Sequence, residues 1–294
     1  MKIGYPCINR SLDCKGNRTF RLKSYSEERL IETVEKNLEC LQNMLEFNIE
    51  RDLYFFRITS DLVPFASHEV NDFDWRAHFE RRFKKIGKII EGNDIRINMH
   101  PNQFIVLNSD KENVYKNSVE ELRYHAEVLD SLGLDESAKI QLHVGGVYYD
   151  KEKSMNRFAE RFLDLDDRLR NRLVIENDER SYSISDCLSI AEDTDVPVVA
   201  DYLHHKIKNE GKSFEDIISR VSETWSEDDG RMMVDYSEQA EGEKEGRHAE
   251  TLHEANFTKF LERTKDHDFD LMLEIKDKEK SAQKALKIAE KIKI

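Results

Sequence analysis

Asp94 to Leu107 reads DIRINMHPNQFIVL. Ile95, Ile97 and Met99 alternate with polar residues, the period-2 pattern of a strand. The run stops at His100, turns through Pro101 and Asn102, and continues with Gln103 and Phe104. One imidazole at the end of one strand carries little information. The same ending recurs along the chain, and the recurrence points to a single architecture.

Seven further short apolar runs share this form: Lys2–Tyr5, Leu53–Ile58, Ile140–Leu142, Leu173–Ile175, Val196–Ala200, Arg231–Val234 and Phe269–Leu273. Helical patterning fills the intervals. Ser24 to Phe47 places Leu30, Val34, Leu38, Leu41 and Leu45 on one face, with Ser24 and Glu27 spaced as a capping box. Trp75 to Ile90 and Asn117 to Leu132 follow the same logic, and Ala282, Ala285, Leu286, Ala289 and Ile292 line a last helix. Strands separated by helices return parallel to one another. Eight such units, with no Pro/Gly/Ser-rich linker, predict an α/β fold: a single (β/α)8 TIM barrel spanning residues 1–294 as one domain. A doubly wound open sheet is the competing topology, but no GxGxxG follows the first run to support it.

With 38% hydrophobic and 36% charged residues, the composition is that of a soluble globular chain. No apolar run approaches the roughly 20 residues that cross a bilayer, so no membrane partner is expected. The opening MKIGYPCINR lacks the apolar core of a secretory signal, and a cytoplasmic protein is expected. Cys7, Cys14, Cys40 and Cys187 include no CxxC pair and read as buried or free thiols. A formal net charge of −14 rules out a uniformly basic coat, while leaving room for a local phosphate-binding patch.

In such a barrel the C-terminal strand ends converge on one face. His68 lies in the loop after the second run; the third ends on His100, the fourth on His143 and the fifth on Glu176. The sixth ends on Asp201, with His204 and His205 behind it. The seventh ends on Asp235, with His248 beyond, and the eighth on Glu274. Imidazoles and carboxylates hold Zn²⁺ or Mn²⁺, and this many exceed the needs of one tetrahedral ion. Two or three carboxylate-bridged divalent ions would use them, and closely spaced ions suit phosphodiester hydrolysis. His204 and His205 are adjacent and point differently, so they are not expected to share an ion. His78, His125, His253 and His267 read as surface or packing residues.

Gln103 and Phe104 follow the Pro101–Asn102 turn at the mouth of the same face. A ring stacks on bases and an amide bonds their edges, so the pair suits a gap left by displaced bases; the alternative is a loop aromatic packed on the rim. Tyr5 either faces this pocket or is a core tyrosine. Arg10, Lys15, Arg18, Arg21 and Lys23 form a basic loop after the first run, and Arg81, Arg82, Lys84, Lys85 and Lys88 lie on the helix after the second. Charges of the loop are placed to border the site.

These residues resemble the ultraviolet-damage endonucleases, which nick DNA immediately 5′ to pyrimidine photoproducts. The resemblance runs along most of the chain, through GYPCIN, RITSDLVPFASH, NMHPNQFIVL, LHVGG, LVIENDE, DYLHH, RHAE and LMLEIKDKE. It implies a (β/α)8 barrel with a divalent metal cluster, often manganese (Zn²⁺ or Mg²⁺ being the alternatives), held by His68, His100, His143, Glu176, Asp201, His204, His248 and Glu274. It implies damaged double-stranded DNA as partner, a monomer, and a catalytic centre of Glu176, Glu274 and His204. The family probes its lesion with a Gln-Tyr pair, here Gln103-Phe104, and Tyr5 and Asn9 match positions lining the substrate site; Arg10 and Arg18 complete the expected DNA contacts. The seventh strand departs from the family. Met233 and Asp235 stand where the family has a lysine and a histidine; Asp235 is still able to bind a hard cation, but Met233 supplies no charge. Other readings of the same residues are an apurinic-site endonuclease or sugar isomerase on the same barrel, or a lesion-binding protein with an impaired metal centre. The acidic stretch Glu238–Glu245 reads as a disordered insert or a lid.

Overall fold

A computed structural model describes residues 1–292 of the chain. Eight strands, β1 (Ile3–Pro6), β2 (Phe55–Ile58), β3 (Arg96–Met99), β4 (Lys139–His143), β5 (Leu173–Glu176), β6 (Val198–Asp201), β7 (Met232–Tyr236) and β8 (Phe269–Leu273), pair in sequence order, all parallel, and β8 closes on β1. The helices are α1 (Glu27–Ile49), α2 (Trp75–Gly92), α3 (Glu112–Ser131), α4 (Lys151–Leu163), α5 (Asp167–Arg170), α6 (Ile184–Thr194), α7 (Tyr202–Ile207), α8 (Phe214–Ser222), α9 (Glu254–Thr264) and α10 (Glu279–Ile292). The TIM barrel expected from the sequence is what the chain forms. None of the described helices is long and apolar enough to cross a membrane.

Strand parity sorts the side chains into two environments. Tyr5, Ile97, Met99, Ile140, Leu142, Ile175, Ala200, Val234 and Leu273 belong to the main core between strands and helices. The alternate positions point inward and form three layers. At the bottom lie Arg96, paired with Asp270 at 2.9 Å, and Lys139, which donates to Asp229. Phe55, Val174, Val199, Met233 and Met272 make a separate, fully buried apolar layer above them. Arg57, Gln141, Glu176, Asp201, Asp235 and Glu274 occupy the top. Met233 lies two residues before Asp235, so parity puts it one layer below the charged groups.

Two local expectations are corrected. The cap of α1 is Ser26, whose hydroxyl accepts from the Arg29 amide; Ser24 instead ends a short 3-10 turn. Cys14 and Cys40 are joined, S–S 2.02 Å, and tie the β1–α1 loop to α1, so only Cys7 and Cys187 are thiols. Nothing in the local sequence marks the pair, because the contact exists only once the loop folds back on the helix.

Candidate active site

Strand register brings the ends together. His143 sits beside Glu176 across β4 and β5, and Asp201 beside Asp235 across β6 and β7. Two groups of ligand atoms result, each within 4.8 Å: His100, His143 and Glu176, and Glu176, Asp201 and Asp235. Glu176 belongs to both. Its Oε1 lies 2.6 Å from His100 Nε2 and 3.0 Å from His143 Nε2.

The histidines share an orientation. Nδ1 of His100 lies 2.9 Å from the Pro101 carbonyl, Nδ1 of His204 3.1 Å from that of Asn177, and Nδ1 of His248 2.5 Å from that of Glu274. A carbonyl only accepts, so each Nδ1 carries the proton and donates it. With Nδ1 held this way, Nε2 is the nitrogen turned to the carboxylates, and once it gives up its proton its lone pair is the one presented to a metal. Asp201 accepts the His204 amide at 2.7 Å through Oδ1, while its buried Oδ2 has no partner. An unpartnered buried carboxylate oxygen beside two more carboxylates fits a bound cation, which would supply the missing charge. Buried acidic and histidine groups here could therefore hold a metal.

The protonation of the site follows its charges. Burial alone would lower the His143 imidazole, but the Glu176 carboxylate outweighs it and lifts the group to about 9. His204 is likewise lifted to about 9 against its burial, by Asp201 and Glu176. Burial pushes Glu176 upward, yet His143 and His100 hold it well below the usual carboxylate range. Burial acts the same way on Glu274, and Arg57 and His248 bring it down to about 2.

Arg57 crosses the top of the barrel. Its Nη2 contacts Asp235 Oδ2 at 2.9 Å and Gln141 Oε1 at 3.0 Å, and its Nη1 donates to Glu274. Gln141 in turn donates to Asp235 Oδ2 at 2.6 Å and to Glu176. Asp235, which the sequence suggested as a ligand, is thus held by a cation and an amide on the side facing β2 and β4. Neither Arg57 nor Gln141 was picked out from the sequence. The available signal was a charged or amide residue inside the runs FFRI and KIQLH, at the inward parity.

A cavity of about 650 Å³ opens above this layer, lined by Cys7, Arg57, His100, Gln103, Phe104, His143, Arg247, His248, Glu274, Lys276 and Lys278, among others. Gln103 and Phe104 stand at its edge, Phe104 with 76% of its surface exposed. Arg247, Lys276 and Lys278 add positive charge that the sequence reading overlooked.

Other expected residues lie elsewhere. His68 is exposed on the turn after β2, its Nδ1 accepting the Val70 amide, and it does not line the cavity. Tyr5 is fully buried on the helix-facing side of β1; its hydroxyl donates to Asn48 and accepts from Asn9, so it touches no open surface. Asn9 is buried as well, and its side-chain oxygen takes the Ser11 amide at 2.8 Å. Arg10 is exposed, but its Nε donates to the Lys276 carbonyl and its amide to Glu279, which docks the loop against α10. Arg18 is exposed, with its backbone clasped by Asn37. His205 turns from the site, 3.1 Å from the Lys212 carbonyl, and His125 is wholly buried. The Glu238–Glu245 stretch is ordered: Gln239 gathers the carbonyls of Ala240 and Lys244 and the Gly246 amide, and bridges to His248. It positions His248 rather than hanging free.

Comparison with known proteins places this geometry. The UV-endonuclease UvdE family matches residues 1–293. The chain belongs to that family. A UV DNA damage endonuclease of Clostridium perfringens is 41% identical over 97% of this chain and 70% of its own length. One from Bacillus cereus (strain G9842) is 33% identical over 95% and 91%. The crystal structure of SacUVDE superposes with a TM-score of 0.96 at 46% identity, covering 100% of this chain and 99% of its own. A D-psicose 3-epimerase from Clostridium cellulolyticum H10 shares only the fold, at 14% identity and TM-score 0.58, covering 85% of this chain and 93% of its own. Membership in the UvdE family makes this chain a DNA-repair endonuclease for UV damage.

Proposed function

We propose that this UvdE chain cuts the phosphodiester immediately 5′ to UV photoproducts, cyclobutane dimers and 6-4 products, in damaged double-stranded DNA, and so opens an excision repair. The observation that carries the reading is the convergence of three carbonyl-fixed histidines, an unpartnered Asp201 oxygen and the shared Glu176 carboxylate beneath a cation-lined cavity.

His100, His143, Glu176, Asp201, His204, His248 and Glu274 would hold two or three divalent ions, Mn²⁺ first among them; His68 would join only if its turn moved inward. Such ions supply a nucleophilic water at neutral pH and offset charge on the phosphate. Glu176, shared between the two ligand groups, and Glu274 would be the carboxylates common to neighbouring ions, and His204 would lie beside the reacting phosphate. Arg57 fixes Asp235 and Glu274; burial pushes the Asp235 carboxyl up while Arg57 opposes the shift, and Asp235, grouped with Glu176 and Asp201, would serve the centre from within the buried layer. Arg247, Lys276 and Lys278 receive the flanking phosphates, with Arg10 and Arg18 on the rim; Asn9 shapes that loop, and Tyr5 supports Asn9 from below. Gln103 and Phe104 enter the opened stack, which favours lesions whose pairing is already weakened. The protein acts as a monomer in the cytoplasm, where the DNA of its bacterial relatives lies.

The test is a nicking assay on a duplex with one defined dimer and an intact control, across Mn²⁺, Mg²⁺, Zn²⁺ and chelator. Cutting directly 5′ to the dimer, abolished by chelator, is the expected result. The double variant Gln103→Ala/Phe104→Ala should cut with discrimination reduced by at least about tenfold. Selective binding without cutting would instead mark a lesion-recognition protein with a disabled centre.

A further inference from the structure

Four large apolar or aromatic side chains stand out as exposed among the described residues: Leu22, Phe104, Tyr149 and Leu163. Three of them, Leu22, Phe104 and Tyr149, sit in loops that follow β1, β3 and β4, on the face that carries the cavity. Tyr149 is completely solvent-exposed.

Its backbone is unusual. Tyr148 and Tyr149 have φ of 46° and 68°, two consecutive bulky residues in the left-handed region. That region is disfavoured for side chains with this bulk and persists where the surroundings impose it. Here they do. Tyr148 folds back, its ring 5.3 Å from the Arg157 guanidinium and so close to Gly146 that a Cβ there would meet it at 2.8 Å. Tyr149 is left with no such packing.

The loop is also bolted to the one bearing Gln103 and Phe104. Asn108, fully buried, donates to the Gly146 carbonyl at 2.8 Å and accepts the Gly146 amide at 3.1 Å. Arg157 Nε reaches the Asn108 carbonyl at 2.8 Å, and Arg161 holds the Leu107 carbonyl at 2.7 Å. The loops that carry Phe104 and Tyr149 are therefore neighbours, joined at Asn108 and Gly146.

We propose that Tyr149 is a second DNA-contacting aromatic, its ring packing on a base or sugar of the substrate duplex alongside the Gln103–Phe104 pair. The proposal rests on damaged duplex DNA being the substrate. A ring held outward on strained backbone, with no protein partner and on the substrate face, has the geometry of a stacking platform, since every base offers a π-face to it.

Steady-state nicking by the metal-loaded protein, with Tyr149→Ala, Tyr149→Gly and Tyr149→Phe variants, tests this. Removing the ring should raise KM for the dimer duplex about tenfold and leave kcat within about twofold, and the Phe variant should match the parent. Tyr149→Gly relaxes the backbone and should melt at a higher temperature than the parent, so its loss of affinity would not reflect misfolding. A Gly variant with the parental KM would overturn the proposal. If the parent binds the duplex without cutting it, the nicking reading alone fails, and fluorescence anisotropy on the same duplex then decides: weaker binding by Tyr149→Gly supports the contact, equal binding overturns it. A parent that neither binds nor cuts overturns both.

Discussion

Arg57 is the side chain on which the top layer depends. It lies between Asp235 and Glu274, both within hydrogen-bond reach, with Arg57 and Asp235 buried and Glu274 at the floor of the cavity. Replacing a whole buried ion pair with apolar groups is often neutral, whereas removing one partner leaves the other charge uncompensated. Arg57→Met should therefore cost about 3–5 kcal/mol of unfolding free energy in urea titrations of the metal-free protein. Joint replacement with Asp235→Leu should recover part of it. Residue identity was legible in the sequence wherever a metal-competent group ended a strand, as with His100, His143, Glu176 and Asp201. It was illegible where only parity decides. The run IGYP is apolar on both faces, so nothing in it says that Tyr5 points to the helices. His68 shows the converse: a residue type suited to metal, on a turn whose direction no periodicity records.

All eight strands were found in the sequence, with edges off by one or two residues, because apolar runs of four or five survive any choice of core partner. The capping of α1 was misplaced by two residues, since Ser24 has Glu27 at the capping-box spacing whereas Ser26, the actual cap, has Arg29 there. Loop contacts were the least visible, and Asn108 is the case in point. An asparagine after IVL reads as a turn residue, yet here it clamps the β3–α3 and β4–α4 connections together. Asn108→Ala would leave the Gly146 amide and carbonyl short of partners, a cost of about 1–3 kcal/mol. The visible consequence should be faster hydrogen exchange in residues 102–110 and 145–150, with little change in the strands. Exchange accelerated uniformly through the barrel would mean that Asn108 serves global stability instead.

Across the whole molecule, the three interior layers alternate in chemistry: ionic at the bottom, apolar in the middle, acidic and imidazole-rich at the top. The architecture was readable because strand–helix alternation allows few topologies. The layering was hidden, because it depends on which of two parities faces inward, and Met233 looked like a defect at the centre when it is a member of the apolar layer. An excess of divalent ion should stabilise the folded chain, by about 2.7 kcal/mol at one hundred times the dissociation constant. Tm should therefore rise by several degrees with Mn²⁺, and the rise should shrink in Glu176→Gln, the residue common to both ligand groups. The apolar layer has one more consequence. It stoppers the barrel from below, so whatever reaches the acidic cup enters and leaves through a single mouth. On the proposed function, ions would load before DNA covers that mouth, and a chelator would reach them only after the nicked strand has gone.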